Sequence, residues 1–216
     1  MHVQNLLVNS FVFHTSTQEE SLDYMDDSSR DYHVEIKDDY TRVTEVLYPL
    51  SGLSSIDPNI VANAARRGTR VHDVCEAIVK GLGTWDIDEE ISGYVKSFEK
   101  WWSQGHKVLA VEKRFYCSEL MITGQVDMII EHDDGAIILD IKTSYKPSKT
   151  WPLQGAAYAY MARKHGYNIK GIHFLHLDKK GGDPKVYIYD DEFELFKKCL
   201  DIYNYFFKPM KKKVKK

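Results

Sequence analysis

The chain has 216 residues, 43% of them hydrophobic, and a formal net charge of -3. That length buries one substantial core and matches a single decorated domain, while a mildly acidic chain has no global pull on a polyanion, so any hold on nucleic acid has to come from clustered Lys and Arg. Three scattered cysteines, Cys75, Cys117 and Cys199, have no CxxC pair and no spacing suited to zinc or an iron-sulfur cluster, which points to a reduced, intracellular protein.

Residues 1 to about 40 read as an N-terminal extension, with a short apolar piece at Leu6 to Phe13 and then an acidic, polar stretch through Asp26, Asp27, Ser28 and Ser29. From Thr41 the pattern tightens. Pro49, Gly52 and Pro58 punctuate a run into a helix over about Asn59 to Lys80, which Gly81 and Gly83 end. Between Lys107 and Ser144 the alternation predicts three successive strands, KVLAVEKRFYC, MITGQVDMIIEHD and AIILDIKTS, with Asp133-Asp134-Gly135 as the hairpin turn between the last two. After Pro147 and Pro152, LQGAAYAYMARKHG has helical spacing and stops at Gly166. Two more strands follow, IKGIHFLHL and PKVYIYD, separated by Gly181-Gly182, then an amphipathic helix over about Glu192 to Phe207.

The resulting order is helix, three strands, helix, strand, strand, helix: an α/β fold with a central mixed β-sheet flanked by helices. Trp101-Trp102 and the group Tyr203, Tyr205, Phe206 and Phe207 read as core or helix packing. Residues 41–207 are expected to form the domain, and 208–216 a tail with six lysines that packs no core. No apolar run approaches the ~18 residues a bilayer crossing needs, and the N-terminus lacks a signal-peptide pattern. A soluble cytoplasmic protein with no membrane partner is expected.

The chemical signal is a strand carrying Asp127, a turn, and a strand carrying Asp140 and Lys142 with one residue between them. In a strand, residues i and i+2 share a face, so Asp140 and Lys142 project together, and the hairpin can bring Asp127 beside them. Two converging carboxylates repel unless a cation sits between them, and hard oxygen donors suit Mg²⁺ or Mn²⁺. Lys142 beside that cation would orient or deprotonate a water, or offset charge growing on a phosphorane. Upstream, His72 and Glu76 lie four residues apart and share a helix face, and Gly68 allows close approach. Downstream, Gln154 and Tyr158 have the same spacing and suit hydrogen bonding and stacking to a phosphate or base; the alternative for them is helix packing.

At these residues the sequence resembles the PD-(D/E)XK nuclease superfamily, and within it the RecB-like branch that includes phage exonucleases. RGTRVHDVCEAI resembles the branch's GxxxHxxxE helix, GQVDMII its G-x-x-D strand, LDIKTS its D-x-K strand and QGAAYAY its QxxxY helix, and RVTEVLYPL resembles the stretch that precedes the first helix in phage members. The resemblance runs over about residues 42 to 161 in the family's order. It implies a restriction-endonuclease-like core and a Mg²⁺- or Mn²⁺-dependent deoxyribonuclease, an exonuclease by preference, acting in phage or cellular replication, recombination or repair. It implies metal ligation by Asp127, Asp140, Glu76, His72 and the backbone carbonyl of Ile141. Lys142 becomes the catalytic lysine, with Gln154 and Tyr158 near the substrate.

Two rivals stay open on the same fold. A catalytically idle nucleic-acid-binding scaffold would be marked by loss of an acidic residue or the lysine, yet Glu76, Asp127, Asp140 and Lys142 are all present. A restriction-type endonuclease would need a recognition region, for which only residues 1 to 40 are unassigned. In the tail, Lys211, Lys212 and Lys213 are read as phosphate contacts, with a nuclear-import signal or a merely solvated end as alternatives. DNA is the expected partner, as single strands or ends, with replication or recombination proteins beside it.

Overall fold

The computed structural model describes residues 39–83 and 87–208. The apolar piece Leu6 to Phe13, the acidic stretch after it, and Lys211, Lys212 and Lys213 lie outside the described residues. The element order is β1 (Thr41–Arg42), α1 (Val43–Leu47), two single 3₁₀ turns, α2 (Pro58–Val79), α3 (Glu89–Trp102), β2 (Val108–Cys117), β3 (Ile122–His132), β4 (Gly135–Lys142), α4 (Trp151–Lys164), β5 (Ile169–His176), β6 (Lys185–Tyr189) and α5 (Phe193–Phe207). No helix among the described residues is long and apolar enough to cross a membrane.

The six strands form one mixed sheet. β3 pairs antiparallel with β2 along one edge and with β4 along the other, where β1 also joins it in parallel at Ile122 and Thr123. β4 and β5 are parallel, joined through α4, and β6 closes the far edge antiparallel to β5. A parallel pair cannot be joined by a tight turn, so the α4 crossover is what this strand order demands. The turn Asp133-Asp134 links β3 to β4, with His132 paired to Gly135, and Asp133 takes the left-handed backbone (φ 38°) that a two-residue hairpin asks of it.

Side-chain alternation divides the core into two layers. Ile137, Leu139 and Ile141 of β4 pack with α2 and α3 through Val71, Cys75, Val95 and Phe98. Ala136 and Ile138, on the other face, pack with α1, α4 and α5 through Val46, Ala157, Met161 and Phe196. Helices therefore cover both faces, which is the expected fold class. All three cysteines are free thiols.

Three elements were not anticipated. The piece from Thr41 forms a strand stub and a short helix. The helix α3 follows from its own pattern: Asp88 caps it by accepting from the Glu90 N–H, and Ile91, Tyr94, Val95, Phe98 and Trp101 recur on one buried face. Gly93 masks that signal, since glycine is a poor helix former. Here it is a contact residue, because a Cβ at Gly93 would lie 1.8 Å from the Lys179 carbonyl oxygen.

The aromatic residues of the last helix, expected as core or helix packing, divide between the two. Tyr203 packs against the core, while Tyr205, Phe206 and Phe207 are exposed and pack along the helix, Phe207 stacked on Tyr203 and Phe206 edge-on to Tyr205. Gly68 is not a steric necessity. A Cβ there would meet Thr143 Oγ1 at 3.6 Å, an ordinary contact.

Candidate active site

β3 and β4 deliver Asp127 and Asp140 as buried carboxylates, 7% and 2% exposed, each flanked along its strand by apolar residues, Val126 and Met128 in one and Leu139 and Ile141 in the other. Burying an ionised carboxylate is costly unless it is paired or holds a cation. Asp127 is tied twice: Oδ2 accepts from the Ile141 N–H at 2.6 Å, and Oδ1 lies 3.1 Å from His72 Nδ1 on α2. Burial alone would raise its pKa, but the charge and hydrogen bond of His72, aided by Lys142 and the Ile141 amide, hold it below the ordinary value. His72 responds in kind. Burial works to lower its pKa, and Asp127, with a contribution from Asp140, overrides this and lifts it to about 9.

Asp140 and Lys142 share a face of β4, as the i, i+2 spacing requires, and Lys142 Nζ lies 2.6 Å from Asp140 Oδ2. Lys142 is the partner that Oδ2 has among the described residues, in a buried ion pair. Burial, opposed by Lys142 and reinforced by the charge of Asp127, raises the Asp140 pKa to about 6. Gln154, in the first turn of α4, closes the arrangement. Its Oε1 accepts from Lys142 Nζ at 3.0 Å, while its Nε2 donates to Asp140 Oδ1 at 3.2 Å and to the Tyr158 hydroxyl at 3.1 Å.

Tyr158 is buried, and its ring lies against β3 where Gly124 leaves room; a Cβ at Gly124 would sit 2.4 Å from Tyr158 Cε1. This gives a packing reason for the glycine three residues before Asp127. Burial, with the charge of Asp140 behind it, pushes the Tyr158 phenol well above its ordinary pKa, so the hydroxyl stays neutral.

The sequence reading missed Glu112. It stands on β2 between Val111, paired with Met128, and Lys113, paired with Val126, which places it directly across from Asp127. Ligand atoms of His72, Glu112 and Asp127 all lie within 4.8 Å of one another. Glu112 also adopts a left-handed backbone (φ 48°), a strained conformation for a residue with a side chain in mid-strand. Its carboxylate is held by Gln125, whose Nε2 donates to Oε2 at 2.5 Å, and burial together with Asp127 raises its pKa to about 7. The available signal was register: once β2 and β3 are paired, the residue opposite Asp127 is acidic.

Glu76, by contrast, is not in that group. Its Oε1 pairs with Lys80 one turn along α2 at 2.5 Å, and it lines a separate hollow of about 430 Å³ between α2 and α3. The structure thus brings together His72, Asp127, Asp140, Ile141, Lys142, Gln154 and Tyr158, adds Glu112, and leaves Glu76 aside. The donors suit a hard divalent cation: the carboxylates of Glu112 and Asp127 with the His72 imidazole, and Asp140 on the neighbouring strand paired with Lys142.

A mixed sheet with helices on both faces, and two buried aspartates with a half-buried lysine carried by its central hairpin, defines a restriction-endonuclease-like α/β domain. The model of the PD-(D/E)XK nuclease superfamily matches residues 86–202, more than half of the chain, and the chain belongs to that superfamily. Among solved structures, the SSO0001 protein matches with 14% identity and a TM-score of 0.43 over 78% of this chain and 75% of its own. A protein from Eubacterium rectale, named as a candidate exonuclease, matches with 12% identity and a TM-score of 0.47 over 88% of this chain and 84% of its own. No curated protein matches.

Proposed function

We propose that the protein is a divalent-metal-dependent deoxyribonuclease that hydrolyses phosphodiester bonds, working from DNA ends or on single strands as an exonuclease. The supporting observation is the grouping of His72, Glu112 and Asp127 within 4.8 Å, with Asp140 and Lys142 paired at 2.6 Å on the neighbouring strand. Buried carboxylates held by one ammonium and one imidazolium are costly for a fold and useful for a phosphoryl site.

Asp127, Asp140 and Glu112 are the proposed ligands of Mg²⁺ or Mn²⁺, with His72 and the Ile141 carbonyl beside them; the bound cation would supply charge neutralisation at the phosphate and acidify a water. Lys142 presents its ammonium to the attacking water or to the negative charge that develops on phosphorus. Gln154 holds Lys142 and Asp140 in one geometry, and Tyr158 anchors Gln154 from below. Water adds to phosphorus, one P–O bond to a sugar breaks, and the leaving oxygen takes up a proton. We further propose DNA replication, recombination or repair in a cytoplasm, that of the host if the chain is phage-encoded, as the setting, with Lys211, Lys212 and Lys213 as added phosphate contacts.

End-labelled linear DNA, single- and double-stranded, incubated with Mg²⁺, Mn²⁺ or EDTA, tests this against Asp140→Ala. Metal-dependent shortening lost in the variant is expected, and intact DNA under every metal overturns the reading in favour of an idle scaffold. Discrete cuts in a closed circle would instead identify an endonuclease.

A further inference from the structure

A cleft of about 260 Å³ opens beside the carboxylate group. Arg42 and Thr44, at the β1–α1 junction, line it together with Glu112, Arg114 and Gln125 of the β2–β3 ribbon, and Asp127 and Tyr158 also border it. Lys142 and Asp140 do not line it, so the cleft lies to one side of the ammonium that serves the scissile phosphate.

Its two cations are weakly committed. Arg114 Nη2 donates to the neutral amide oxygen of Gln125 at 2.5 Å and has no carboxylate partner among the described residues. Arg42 reaches Glu45 at 3.8 Å in a contact whose side chains are 69% and 49% exposed, and such a pair contributes little and re-forms easily. A polyanion approaching Glu112, Asp127 and Asp140 is repelled unless cations stand at the rim, and a chain of net charge -3 has none to spare globally.

We infer that Arg42 and Arg114 form a phosphate-binding pair that holds the nucleic-acid backbone next to the scissile bond, deepening the nuclease reading on which it rests. The guanidinium is the side chain for this task, since its planar fork matches phosphate oxygens and it is always charged. The class of ligand is a phosphodiester strand, distinguished from a free phosphate ion by the need for successive charges.

The test is fluorescence anisotropy of a labelled oligothymidylate, with Ca²⁺ replacing Mg²⁺, across a salt series, for wild type, Arg42→Gln, Arg114→Gln and the double variant. Each single change is expected to weaken binding and reduce the slope of log affinity against log salt by about one. Lys170→Gln, at the opposite end of the β4–β5 pair, should leave the slope intact. Unchanged slopes in a wild type that binds and cuts DNA overturn this inference alone; a wild type that neither binds nor cuts overturns the nuclease reading. Inorganic phosphate that displaces the oligonucleotide better than chloride of equal ionic strength reveals an ion site and also overturns it. Because Arg114 touches Gln125, which holds Glu112, Mn²⁺ affinity is read in parallel. A fall there with an unchanged salt slope assigns Arg114 a purely structural part.

Discussion

His72 on α2 and Asp127 on β3, 55 residues apart in sequence, meet at 3.1 Å through Nδ1 and Oδ1. In the metal-free protein the imidazolium, stabilised up to a pKa of about 9, neutralises a buried carboxylate. A divalent cation at the same place would take over that duty, and the histidine proton would have to leave.

Metal binding should therefore be steeply pH-dependent. Asp140, raised to about 6, and Glu112, raised to about 7, hold protons to higher pH than ordinary carboxylates, so Mn²⁺ affinity is expected to fall as pH drops from 8 to 6. Calorimetry in buffers of different ionisation enthalpy should show net proton release at pH 7. Affinity flat over this range, with no proton released, would remove these groups from the ligand set.

Glu112 and Glu76 make opposite predictions. Glu112→Gln removes a carboxylate from the cluster and should weaken Mn²⁺ binding by about tenfold or more. Glu76→Gln breaks only the partly exposed pair with Lys80, a contact of under about 1 kcal/mol, and should leave the affinity near wild type. The reverse result, read by titration, would restore Glu76 as the ligand.

Lys142→Ala should abolish cleavage while leaving Asp140 without its ion-pair partner, lowering metal-free stability by about 1–3 kcal/mol. Added Mn²⁺ should recover the stability and not the cleavage. Gln154→Ala should lower kcat with little change in KM, whereas Tyr158→Phe, losing one neutral hydrogen bond, should have a small effect. Equal loss in both variants would contradict the proposed division of labour.

Gly93→Ala weighs propensity against contact. Alanine favours a helix by about 1 kcal/mol, yet its Cβ would sit 1.8 Å from the Lys179 carbonyl oxygen, so α3 or the chain after β5 must shift. Overpacking of this kind costs about 1–3 kcal/mol. A lower melting temperature is expected, and a higher one would mean that the chain after β5 yields freely.

Much of this site was legible because its signals are local. The spacing of Asp140 and Lys142 fixes their common face, Asp133-Asp134-Gly135 fixes the hairpin, and the spacing of Gln154 and Tyr158 matches the bond between them. Glu112 was illegible because its role depends on how β2 registers against β3 across the turn at Ser118 to Met121, which no local pattern specifies. The four-residue spacing of His72 and Glu76 gives a shared helix face but not a shared target; Lys80, four residues further, engages Glu76. The helix α3 was hidden by a glycine whose reason lies in a distant loop.

The two oxygens of Asp127 reach in different directions, one to α2 and the other to the backbone of β4. During synthesis α2 emerges long before β4, so the carboxylate stays half-tethered until the hairpin closes. Cutting competence, on the proposed reading, waits for β4 to pair with β3, because that one strand brings Asp140, Lys142 and the second tether of Asp127 together.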